Sequence, residues 1–315
     1  ILFRLVGSEM CIRDRHLFIL QRLNGKELNK VFKQVLGWLI AAIFFFPIYF
    51  WITVSIKKDK DIFALPPKLF DFEVSFSAYE EVFGISRFLY VEDMGAVRPG
   101  GGDFYMMPNL VDSIIIALGS TGLAMLISIL AAYSLSRIPI RGQQHFMGWI
   151  LSTRMMPPVA VAIPMFFIYK NIGLMDTHLG IIIIHALMNL PLAVLLMKSF
   201  FDDIPKDIDE AALLDGATRF FVFWRLIVPL AIGGIAATAV LCFIFSWTEF
   251  IFVLMLTQTG LKTIPVVSTS FVTSTGTAWD NMAALGTAAI IPAFIFILLV
   301  QRHLVRGLTL GSVKQ

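Results

Sequence analysis

The stretch FFDDIPKDIDEAALLDGATRFFVFWRLIVP, from Phe200 to Pro229, decides how the rest of the chain is read. It carries Asp202, Asp203, Lys206, Asp207, Asp209, Glu210, Asp215, Arg219 and Arg225, yet long apolar segments stand on both sides of it. An ionised side chain is costly in hydrocarbon, so the stretch belongs in water or against another protein. Its internal order suggests two short helices around a turn. Pro205 suits a helix start, with Asp207 as a candidate N-cap. Ile208, Ala211, Ala212 and Leu214 are spaced to line roughly one helical face. Gly216 permits a positive φ at the helix end, and a second helical stretch runs over 217–228 and stops at Pro229. Two such helices at a membrane surface make a docking knob; a solvated loop is the plainer reading of the same pattern.

The apolar flanks extend to most of the chain. Of 315 residues, 57% are hydrophobic and 15% charged, with mean hydropathy +0.81. A soluble domain is about half apolar and about a quarter charged. The expected fold class is therefore an all-α polytopic membrane protein embedded in the lipid bilayer. A spanning helix needs about 20 apolar residues, and six segments qualify: 35–56, 110–135, 146–169, 179–197, 230–256 and 285–304. Between them lie an N-terminal arm (16–34), a long loop (57–109), the docking segment (200–229) and a tail (305–315). In the long loop, Phe70, Phe72, Phe76, Tyr79, Phe83, Phe88 and Tyr90 suggest a small packed lobe. Residues 1–15 read as non-native, because Met10-Cys11-Ile12-Arg13-Asp14 resembles the translation of a sequencing-adaptor end; a genuine basic arm is the alternative. Cys11 and Cys242 offer no disulfide framework. The net charge of +3 does not argue for nucleic acid, since the charges sit in loops where topology explains them.

Lys and Arg in short loops set the orientation. With the N-terminus inside, inner segments carry Arg22, Lys26, Lys30 and Lys33, then Arg137 and Arg141, then Lys198, Lys206, Arg219 and Arg225, then Arg302, Arg306 and Lys314. The short outer loops hold Lys170 and Lys262. Both termini and the 200–229 segment are therefore expected in the cytoplasm.

Polar residues inside the spans are the candidates for a pathway. Arg154 would lie roughly 12 Å deep in the third span at 1.5 Å per residue, followed by Met155, Met156 and two prolines that free backbone carbonyls; snorkelling to the inner interface competes with a pathway role. Trp247 and Glu249 in the fifth span offer a ring for stacking and a carboxylate for hydroxyl groups; the competing reading is an interfacial aromatic anchor with a hydrated acid. Asn189 lies near mid-depth in the fourth and suits interhelical bonding equally well.

Glu210-Ala211-Ala212, three residues, Gly216, nine residues, then Leu226-Ile227-Val228-Pro229 resembles the EAA signature of ABC importer membrane subunits, E-A-A-x3-G-x9-I-x-L-P, with Leu for Ile and Val for Leu. Flanking pieces are similar to the carbohydrate branch typified by the maltose-transporter membrane subunits: Ala132-Tyr133-Ser134 with Arg137, Ile163-Pro164, Gly173-Leu174-Met175-Asp176-Thr177, Ile204-Pro205, Asp215-Gly216-Ala217, Trp247-Thr248-Glu249-Phe250 and Gly311-Ser312-Val313-Lys314. The resemblance covers roughly 35–315. It implies a type I ABC importer transmembrane domain in a bacterial or archaeal cytoplasmic membrane. It implies that Glu210, Ala211, Ala212, Asp215, Gly216, Arg219 and Pro229 form the ATPase-coupling joint. By position, Trp279 and Asp280 are carried over as contacts for an extracytoplasmic solute-binding protein. The implied partners are a second permease subunit, two ATP-binding cassette subunits and that binding protein.

No G-x-x-x-x-G-K-[ST] is present, so ATP and magnesium are expected to be handled by the partner ATPase, with no cofactor or metal on this chain. The histidines (16, 145, 178, 185 and 303) are scattered and form no recognisable catalytic set, which argues against an enzyme. An ion-gradient carrier is the alternative transporter class, but it usually buries carboxylates deep in its spans. Here Glu249 and the marginal Asp112 are near membrane depth.

Overall fold

The computed structural model describes residues 30–84, 106–258, 260–274 and 276–311. The proposed non-native segment 1–15, most of the 16–34 arm, Phe88, Tyr90 and the last four tail residues lie outside them.

In chain order, α1 (Lys30–Val54) leads to two short helices, α2 (Asp59–Ile62) and α3 (Ser77–Val82). The long α4 (Met106–Arg137) is followed by α5 (Gln143–Thr153) and α6 (Pro158–Ile172), then α7 (His178–Asp202). The docking segment holds α8 (Asp207–Leu214) and α9 (Arg219–Leu230), the latter with a π-helical turn over Phe223–Ile227. Next come α10 (Ile232–Trp247), α11 (Ile251–Leu256) and α12 (Ile264–Ser268). A small antiparallel hairpin, β1 (Val272–Thr273) with β2 (Gly276–Thr277), pairs Val272 with Thr277 and precedes α13 (Trp279–Gly311). Among the described residues, four helices are long and apolar enough to cross a membrane, and up to six spans result if each of two bent pairs counts as one.

The bundle is built on α4 and α7, which run parallel. Asp112, in the second turn of α4, meets His178 at the start of α7, and Arg137 reaches the carbonyl of Phe201 at the last turn of both. The buried stripe of α4 is dominated by small residues, Ser113, Ala117, Ser120, Thr121, Ala124, Ser128 and Ala132, beside the larger Ile116, Met125 and Leu135. Small residues at three- and four-residue spacing let backbones approach closely, which is how helices associate where lipid removes the usual hydrophobic drive. α10 follows the same rule: Gly234 lies against the ring of Phe200 on α7.

Two expected spans are broken. The segment read as a straight helix over 146–169 is α5 and α6, bent by 88° at residues 154–157. Proline lacks a backbone N–H and disfavours helical geometry in the residue before it; Pro157 is extended, with φ −61° and ψ 129°. Arg154 therefore sits at the end of α5, at the start of the break, rather than inside one straight span. The segment read as 230–256 is α10 and α11, interrupted at 248–250.

At the end of the bundle away from α8, Asp176 ties two loops together. It adopts a positive φ of 58°. Its carboxylate accepts the backbone N–H groups of Gly260 (2.9 Å) and Leu261 (3.1 Å), and its own N–H donates to Leu256 (3.0 Å). In the loop after α1, the expected aromatic packing is only partial, since Phe70 is 82% and Phe76 61% exposed. Polar groups do more of the fastening: Lys57 Nζ donates to the carbonyl of Lys68 (2.7 Å), and Lys68 bonds to buried Asp61, holding that carboxyl below its ordinary value.

Candidate functional site

The docking segment is shaped by its turn. α8 ends in Asp215, and Gly216 follows at φ +86°. The N–H of Gly216 bonds to Leu213 and that of Ala217 to Ala212, both at 3.1 Å, the paired pattern that closes a helix on a glycine. Thr218 then caps α9, its hydroxyl accepting the N–H of Phe221 (3.3 Å). The expected N-cap, Asp207, is instead the first helical residue, and Lys206 at the cap position makes no side-chain bond.

The inward face of α8 also differs from the apolar face expected over 208, 211, 212 and 214. Asp209 is the buried residue, Ala212 is half-buried, and Leu214 is 88% exposed. The cause lies on α4: Arg137 Nε stands 2.9 Å from Asp209 Oδ2, and the Tyr133 hydroxyl donates to Oδ1 (3.1 Å). Turning Asp209 outward would leave the covered Arg137 guanidinium without its counter-charge, which is costly. Below it, Val222 and Ile227 of α9 pack with Met197 and Phe201 of α7, and the Phe223 ring lies 4.6 Å from that of Tyr133. Glu210, Ala211, Asp215, Gly216, Arg219 and Pro229 all stay exposed, beside Leu214, Phe220 and Phe221. The result is an apolar, charge-rimmed knob.

The second site lies where the two broken spans meet. A cavity of about 250 Å³ is lined by Arg154, Met156, Pro158, His185, Met188, Asn189, Phe245, Ser246, Glu249 and Phe252. Arg154 donates to the carbonyl of Met188 (2.7 Å) and lies over the Phe245 ring at 4.7 Å. Asn189 donates to the Cys242 carbonyl (3.1 Å). Glu249 faces His185 Nε2 at 3.2 Å and accepts the N–H groups of Phe252 (3.0 Å) and Val253 (3.3 Å), so it caps α11. His185 Nδ1 lies 2.8 Å from the Ser246 hydroxyl, which in turn meets Ser120 at 2.7 Å. A guanidinium, an amide and a carboxylate around one small cavity suit a ligand rich in hydroxyl groups.

Arg154, Asn189 and Glu249 are thus brought together. Met155 is not; it is 82% exposed, and Met156 takes the lining position because the bend redirects the chain. Trp247 also points elsewhere, stacked on Phe243 (5.5 Å) and packed against the Ala284–Leu285 cluster. Trp279 is exposed, whereas Asp280 is buried and so withdrawn from the surface expected to meet another protein. His185 was missed. Its i, i+4 spacing from Asn189 within IIIIHALMNL was the available signal. Among the described residues, no group of His, Cys, Asp and Glu is placed to hold a metal.

Residues 104–310 match the family model described as "binding-protein-dependent transport system inner membrane component". A probable ABC transporter permease protein, y4oR of Sinorhizobium fredii, is 31% identical over 292 residues, covering 92% of this chain and 98% of that protein. The trehalose transport system permease protein SugB of Mycobacterium tuberculosis is 32% identical over 283 residues, covering 89% and 96%. Among solved structures, a bacterial ABC transporter involved in the import of the acidic polysaccharide alginate has a chain with TM-score 0.65 and 23% identity, covering 88% of this chain and 96% of that one.

Proposed function

Because this chain belongs to the family of binding-protein-dependent transport system inner membrane components, we propose that it moves a sugar or polyol through a pathway shared with a second permease, driven by a separate ATPase docked on 200–229. The chain itself is a multi-pass ABC importer permease. The observation that carries the proposal is the exposed knob, which offers Glu210, Asp215, Arg219 and a rim of Leu214, Phe220 and Phe221 at the EAA spacing. The carbohydrate class is supported by the trehalose permease among its relatives. An ion-driven carrier is not favoured.

In this reading both termini and the knob are cytoplasmic, and two cassette subunits bind and hydrolyse ATP with magnesium. Their closure draws the knobs together and rocks the spans toward an external solute-binding protein, which Trp279 faces. The second permease is supported by α1, whose apolar window is 0% buried against this chain. Lipid accounts for part of that exposure, and six spans are few for a sugar path.

The first test is coexpression with the neighbouring permease and ATPase. The ATPase is expected to copurify with the wild-type chain, and Glu210→Ala is expected to weaken recovery; failure of the wild type to bring down any ATPase sinks the reading.

The cavity at Arg154, Asn189, His185 and Glu249 is the proposed cargo contact within this subunit. Arg154→Ala and Glu249→Gln are each expected to lower uptake of the transported sugar by roughly tenfold, the scale of a lost hydrogen bond to a charged group, with ATPase recovery unchanged. Wild-type uptake in both variants places the cargo elsewhere.

A further inference from the structure

We propose that Arg137 and Asp209 form the joint through which movement of α8 reaches α4; this rests on the reading of 200–229 as the ATPase dock. A force applied to the exposed face of α8 must enter the spans somewhere. α9 passes its share along the chain, through a 73° bend into α10. α7 leads into α8 through residues 203–206; α4 has no chain continuity with α8, and its polar connection to that helix runs through Arg137 and Tyr133. Arg137, the last residue of α4, donates Nη1 to the carbonyl of Phe201 (3.0 Å) near the end of α7 and Nη2 to that of Ile204 (3.1 Å). Its Nε stands 2.9 Å from Asp209 Oδ2, with both side chains nearly covered at 8% and 11% exposure. Tyr133, one turn earlier on α4, donates to the other Asp209 oxygen at 3.1 Å.

The Nε–Oδ2 contact is an ion pair without hydrogen-bond alignment; the Nη1 and Nη2 bonds and the Tyr133 hydroxyl hold the two groups in place, and a covered pair is screened far less than a surface one. The remaining inward side chain of α8 is half-buried Ala212, which offers little to grip. The acidic neighbours Asp207 and Glu210 are exposed, so their charges are free to meet the partner while Asp209 is committed inward. Asp209 and Arg137 are positioning residues; neither touches cargo or nucleotide.

The test uses the complex of this chain with its neighbouring permease and ATPase. Spin labels are placed on cysteines at Lys206, beside α8, and Leu130, on α4, with Cys11→Ser and Cys242→Ala as background. Distances are read without nucleotide and with ATP plus vanadate. In the otherwise wild-type chain the distance is expected to stay within about 2 Å between the two states, because the elements travel together. In Asp209→Asn it is expected to shift or broaden beyond that with ATPase recovery unchanged, and in Tyr133→Phe to broaden less. A distance that shifts in the wild-type background overturns the proposal, as does an Asp209→Asn complex as rigid as the wild type. Loss of ATPase from Asp209→Asn overturns it too, since the pair then only shapes the dock. If the wild-type chain recovers no ATPase, the docking reading falls first and this joint falls with it.

Discussion

Replacing Gly216 by proline is expected to reduce recovery of the ATPase to background. The native φ is +86°, and proline holds φ near −65°. The change also removes the N–H that closes α8 on Leu213. Helix-breaking proline costs about 3 kcal/mol or more, and each 1.4 kcal/mol is about tenfold in an equilibrium. If that cost falls on the docking-competent shape of the knob, binding drops by about a hundredfold. Gly216→Ala separates strain from chain breakage. It keeps the N–H and meets nothing within 4 Å, but its side chain still sits in the left-handed region, which costs roughly 1–2 kcal/mol. Its expected loss is about tenfold. Copurification of the proline variant at wild-type yield would remove 200–229 as the dock.

Gly180→Ala is expected to have a large effect on folding of the bundle. An added Cβ would stand 2.3 Å from the carbonyl oxygen of Leu174 and 3.2 Å from the Tyr169 ring. The first obstacle is backbone, and it does not yield easily: Leu174 is itself bonded to Tyr169 (3.0 Å), just after Gly173 ends α6. The Tyr169 hydroxyl donates back to the Gly180 carbonyl (3.0 Å), so relaxing one contact breaks another. Overpacking of this kind costs about 1–3 kcal/mol. In a chain of this size that is roughly 2–4 °C of melting temperature per kcal/mol, read in detergent against Gly122→Ala, where nothing lies within 4 Å. An unchanged melting point for Gly180→Ala would mean that α7 begins with a different backbone.

The parts legible in the sequence were those set by local chemistry. Gly216 announced a helix end because few other residues tolerate that backbone, and apolar runs of about 20 residues announced the spans. What escaped was set from a distance. Periodicity alone turned Ile208 and Leu214 inward; Arg137, some seventy residues earlier in the chain, makes Asp209 the inward residue instead. Pro157 and Pro158 were visible, but the 88° bend they permit was not. That bend exchanged Met155 for Met156 at the cavity. His185 looked like one scattered histidine among five, since Ser246 and Glu249, which give it meaning, arrive sixty residues later.

The Asp176 clamp bears on how the far rim of the bundle opens. α6 ends just before Asp176 and α11 just before the loop it grips, and Tyr169 and Leu256 share one apolar cluster. Two half-helices on separate spans are therefore fastened to each other at their tips, like two blades on one rivet. Sliding one past the other would strip several N–H groups from a single carboxylate at once. Intermediate settings would be penalised, so the rim is expected to act as a latch with few positions rather than a dimmer with many.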